Sequence, residues 1–86
     1  MPEISRLLGI IIAMYYMEHG IPHFHAKYGE RRAVFSIQEL RLLEGSLPPR
    51  VMSLVLEWAF LHREALMENW TRAERREDLH SIEPLV

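Results

Sequence analysis

Apolar residues crowd positions 7–17, and Ile10, Ile11, Ile12, Ala13, Met14, Tyr15 and Tyr16 form an unbroken run. Their β-branched and aromatic character suits a buried strand better than a short helix. Gly20 and Pro22 end the run, since glycine permits a turn and proline holds Ile21 extended. From His23 the pattern changes to strict alternation: His23, Phe24, His25, Ala26, Lys27, Tyr28. Gly29-Glu30 fits a two-residue Gly-X turn, and residues 32–37 return as a second strand. That turn pairs Phe24 with Phe35 and Ala26 with Ala33 on one face, which must be the core face. The other face then carries His23 opposite Ser36, His25 opposite Val34 and Lys27 opposite Arg32. A slip by one residue would bury the histidines and expose both phenylalanines, so the register is strongly specified. Residues 40–47 can add a short fourth strand that bends at Gly45.

The period changes after Pro48-Pro49, a pair that the first turn of a helix tolerates. Val51, Leu54, Val55, Trp58, His62, Leu66 and Asn69 recur at helical spacing, and Met52, Leu56, Ala59 and Phe60 widen the stripe. The expected architecture is α+β, in one domain over residues 1–86. A three- or four-stranded antiparallel β-meander occupies residues 1–47, and one long C-terminal α-helix over 48–76 packs on one face. A polar tail over 77–86 follows, whose Ile82, Pro84, Leu85 and Val86 are placed to fold back. The expected core is Ile10, Ile12, Met14, Phe24, Ala26, Phe35, Leu54, Trp58 and either Leu61 or His62. Tyr15 and Tyr16 point to opposite faces, so only one of them can join it.

Composition narrows the function classes. The 86 residues are 49% hydrophobic, carry a net charge of −2 and include no cysteine. A single small domain follows, without disulfides, iron–sulfur clusters, cysteine zinc fingers or a cysteine nucleophile. The charge excludes a strongly basic nucleic-acid coat but leaves room for a local basic face. Residues 19–50 hold five basic and three acidic side chains, and residues 57–86 hold four and seven. The hairpin side is therefore mildly positive and the helix side negative. The apolar run is too short to span a membrane, which takes roughly 20 residues. It also lacks the flanks of a signal peptide, so a cytoplasmic protein is expected.

Several short elements occur in a telling order: Met14-Tyr15-Tyr16, Pro22-His23-Phe24-His25-Ala26, Tyr28-Gly29-Glu30, Leu43-Glu44-Gly45-x-Leu47-Pro48, and Glu57-Trp58-Ala59 with His62 and Trp70. Together they resemble the bacterial domain of unknown function family 4160. The resemblance implies a short cytoplasmic protein, often encoded beside or fused to a domain of unknown function family 2442, in the manner of toxin–antitoxin pairs. It supplies no catalytic residues.

The residues themselves offer three chemistries. His23 and His25 stand on one strand face, about 7 Å apart by strand rise, and His19 lies just upstream. Three imidazoles suit zinc or another divalent transition metal and leave a coordination position open. His23 and His25 are also catalytic candidates for RNA cleavage, as base and acid, with Lys27, Arg31 and Arg32 to meet phosphate charge. A small sheet covered by a helix resembles, by fold analogy alone, the double-stranded-RNA-binding-like toxins. The third reading is a partner module, whose open strand face or sheet edge takes a protein such as a family 2442 domain, or a second copy in a homodimer. This interaction reading is the leading expectation, and the metal and RNA readings are its alternatives. Alanine at His23, His25, Lys27 or Arg32 is expected to leave the fold intact. His62 is expected to be a buried, hydrogen-bonded histidine. Arg72, Arg75 and Arg76 lie among Glu74, Glu77 and Asp78, as at a solvated helix end.

Overall fold

The computed structural model of the chain describes residues 3–84. Five antiparallel strands form one sheet in chain order: β1 (Glu3–Leu7), β2 (Ile10–Ala13), β3 (His23–Tyr28), β4 (Arg31–Ser36) and β5 (Leu42–Gly45). The meander is as expected, with one strand more. What reads as a single apolar strand is a hairpin that reverses at Leu8-Gly9, where both residues are left-handed, with φ of 47° and 81°. Two such residues in a two-residue loop match the right-handed twist of the strands they join. Leucine is a poor residue for that backbone, so Gly9 alone marks the turn in the sequence. β5 lies within residues 40–47, where a fourth strand is expected.

β3 and β4 pair in the register that alternation demands, from His23↔Ser36 to Tyr28↔Arg31. Phe24 stacks on Phe35 with ring centroids 5.4 Å apart, and Trp58 meets Phe24 edge-on at 6.1 Å. All three are fully buried, with Ile4, Leu7, Ile10, Ile12 and Met14 around them. Each large side chain taken fully from water contributes about 1.5–3 kcal/mol.

The expected single helix is two: α1 (Pro49–Leu61) and α2 (Arg63–Glu74). The break falls at His62, whose φ of −121° departs from helical geometry. Its amide donates to the carbonyls of both Trp58 and Ala59, at 3.1 and 3.2 Å. No glycine or proline marks the place, and the apolar stripe runs straight across it. The core assignment changes there. Leu61 is 61% exposed; His62 is only half-buried, its ring 5.5 Å from that of Trp58. Leu54 is partly buried against the core rather than within it. Neither tyrosine joins the core: Tyr15 is half-buried, and Tyr16 is exposed with its hydroxyl donating to the Glu77 carbonyl.

The tail folds back as expected over its described part; Leu85 and Val86 lie outside the described residues. Ile82 is buried, and its amide donates to the Ile4 carbonyl at 2.7 Å. Asn69, buried on α2, donates to the His80 carbonyl at 2.8 Å and accepts from the His80 amide at 2.9 Å. The Trp58 indole donates to the Glu83 carbonyl. Arg75 and Arg76 are exposed, as a solvated helix end requires, while Arg72 approaches Glu68 and Glu77. No helix among the described residues is long and apolar enough to cross a membrane.

Gly45 closes β5 against β4 with φ +82°, and a Cβ there would strike the Arg32 carbonyl oxygen. Gly20 has φ +96° with open space around it. Gly20→Ala therefore adds only the left-handed penalty, about 1–2 kcal/mol. Gly45→Ala adds backbone collision to the same penalty and should cost clearly more. Urea unfolding midpoints of the two variants test this, and equal losses would contradict the close approach.

Candidate metal centre

The site begins with strand alternation. Phe24 points into the core, so His23 and His25 leave β3 on the other face. Loop 14–22 then returns over them. It is anchored by buried Met14 and reversed through left-handed Met17 and Gly20. This path brings the Glu18 carboxylate onto both imidazoles. Glu18 Oε1 lies 2.6 Å from His25 Nε2 and 3.1 Å from His23 Nε2. The three side chains are half-buried, and their donor atoms all lie within 4.8 Å of one another.

Rings hold the imidazoles in place. Tyr15 meets His25 edge-on at 4.7 Å, and Trp70 of α2 lies 4.9 Å from His23. The His23 side chain is consequently only 12% exposed. It stands on the face that alternation assigns, but α2 covers it, so the expectation that alanine there leaves the fold untouched does not extend to His23.

The protons can be assigned from the hydrogen bonds. His23 Nδ1 lies 2.8 Å from the Ile21 carbonyl, which can only accept, so Nδ1 carries a hydrogen. Neutral His23 then turns the lone pair of Nε2 toward Glu18. A backbone carbonyl orienting one nitrogen so that the other can ligate is the usual support of a metal-bound histidine. Burial disfavours ionisation of Glu18, and this is the largest single influence on it. When the rings of His25 and His23 are protonated, their hydrogen bonds and charge together outweigh burial and hold the carboxyl below its ordinary range.

Residues 9–71 match the domain of unknown function family DUF4160. The chain belongs to that family. The matched stretch contains Glu18, His23, His25 and Trp70, and it omits β1 and the tail. No curated protein and no solved structure matches the chain.

The structure joins His23 and His25, as the strand pattern requires, and sets Glu18 beside them in place of His19. His19 is exposed and lies outside the cluster. Lys27 and Arg32 stand on the same face as His25, and Arg31 is exposed at the hairpin end. Glu18 carries no sequence signal of its own. Whether it or its neighbour His19 turns inward depends on the left-handed backbone at Met17, a residue with no preference for it. Trp70 was legible only as a helical residue, because its reach to His23 depends on the course of α2.

The depressed Glu18 carboxyl gives a signed expectation. Its stabilising contribution is fully present above its ordinary value of 4.5 and is lost as pH falls through the lower folded value. Wild type should therefore lose stability relative to Glu18→Gln on acidification from about pH 6 to about pH 3. Urea unfolding of both proteins across that range measures the difference. Parallel curves would mean that the imidazoles do not favour the ionised carboxylate.

Proposed function

We propose that this chain is a metal-binding domain whose site holds one divalent transition-metal ion, zinc foremost, through Glu18, His23 and His25. The convergence of Glu18 Oε1 with two imidazole Nε2 atoms carries the reading. Two histidines and one carboxylate are a ligand set of catalytic zinc and of non-haem iron sites. Three protein ligands leave at least one position for water or substrate, whereas structural zinc is closed by four. Ligand atoms of tetrahedral zinc lie about 3.3 Å apart. The spacings of 2.6 and 3.1 Å therefore need to open by less than about 1 Å. The Ile21 carbonyl on His23 Nδ1 and the aromatic packing supply the outer support that such ligands require. This reading ranks above the partner-module reading, whose motive was an uncovered strand face, because Trp70 packs over His23 on that face.

Untagged chain equilibrated with micromolar zinc should carry one ion per chain by elemental analysis. Glu18→Gln, His23→Ala and His25→Ala should each weaken binding at least about tenfold, and His19→Ala should leave it unchanged. Circular dichroism keeps loss of metal distinct from loss of fold. A wild-type protein that takes up no zinc ends the proposal, as does a folded His23→Ala, His25→Ala double variant that binds as wild type does.

A further inference from the structure

Two concavities meet at the cluster, and they differ in charge. One, of about 250 Å³, has Glu18 on its wall with Glu74, Arg76 and His19. The other, of about 320 Å³, has His25 on its wall with Lys27 and Arg32 and no acidic residue. Tyr15 lines both. Lys27 and Arg32 are direct cross-strand partners, so their side chains rise from the sheet together. Like charges in that relation are destabilising. Among the described residues no carboxylate lies within ion-pairing distance of either. Ile11 stands opposite Lys27 and Ala13 opposite His25, which gives the cavity an apolar floor.

The cavity thus holds two unneutralised cations above an apolar floor, with a candidate metal ligand on its wall. We infer that it binds a phosphoryl group, and that the substrate of the metal site is a small phosphate ester. A tetrahedral, doubly charged oxyanion answers both cations at once. The planar fork of Arg32 matches two of its oxygens, and the Lys27 ammonium serves as a point charge. The floor accommodates an apolar part of the ester beside the anion. The volume is near the lower bound for ligand cavities, about 300 Å³, and the net charge of −2 disfavours a long polyanion, so a small ester fits better than an RNA strand. The substrate assignment rests on the metal reading, whereas capture of the anion by Lys27 and Arg32 does not need the metal.

The test uses the untagged full chain, treated with chelator and titrated with inorganic phosphate at low ionic strength while amide nitrogen–proton spectra are recorded. Saturable shifts are expected at Ala13, His25, Lys27 and Arg32. The Lys27→Ala, Arg32→Ala double variant should bind phosphate at least tenfold more weakly and still take up one zinc. Absence of saturable shifts in folded wild type, or equal affinity in the double variant, overturns the inference while the metal reading stands. Phosphate binding of this kind in a chain that takes no zinc supports the phosphoryl site and removes the metal reading, and with it the assignment of the ester as substrate. A short single-stranded RNA that binds more than tenfold tighter than phosphate overturns the assignment to a small ester.

Discussion

Phe24 lies flat against Phe35 beneath the edge of Trp58, and the rest of the molecule is arranged by that contact. β3 and β4 pair without a register shift, so two inward phenylalanines force His23, His25, Lys27 and Arg32 outward together. Shifting β3 by one residue would expose a ring worth about 1.5–3 kcal/mol of burial on each strand and bury imidazoles in their place. The net stability of a domain is only about 5–15 kcal/mol. The register is therefore fixed by the same energy that folds the chain, and the chemistry of the opposite face follows from it.

Alternation decides a face but not what stands over it. That falls to the break at His62, after which α2 takes its own course and carries Trp70 to His23. Asn69, the neighbour of Trp70, is held by paired hydrogen bonds with the His80 backbone. A buried amide with such partners avoids the penalty of an unsatisfied polar group, about 1–3 kcal/mol. The tail that supplies those partners is fixed in turn by the bond of Ile82 to Ile4 on β1. Sheet, second helix and tail are thus tied in one circuit, and the wall behind His23 depends on all three.

The sequence made legible whatever depends on period. The β3–β4 register, the inward Phe24 and Phe35, the buried Trp58 and the shared face of His23 and His25 all follow from spacing. Features that depend on one residue adopting a backbone it does not prefer stayed hidden. Leu8 is left-handed in the first hairpin, Met17 is left-handed in the loop, and His62 leaves the helix although its side chain continues the stripe. Leu8 and Met17 are exposed, and no local pattern encodes any of the three departures. The site was therefore half visible: its two histidines come from a strand, and its carboxylate comes from a loop.

The hydrogen bonds within the cluster depend on where its protons lie. The Ile21 carbonyl commits the Nδ1 hydrogen of His23, so Nε2 can donate to Glu18 only if the ring takes an additional proton. His25 also directs Nε2 at the same oxygen. Closing the cluster by hydrogen bonds thus requires a bound positive charge in a half-buried space. A divalent ion held as proposed would supply that charge to all three donor atoms at once and leave both imidazoles neutral. On the proposed reading, a metal would compete with that proton for one position and release it on binding. Glu18 sets the sign of the preference, since a low carboxyl value keeps an anion in place when neither competitor is bound. On the proposed reading the ion's charge would exceed that of Glu18, and Lys27 and Arg32 beside His25 would add to the excess. The field on the His25 side of a site so loaded would consequently be positive, drawing anions toward the metal and repelling further cations.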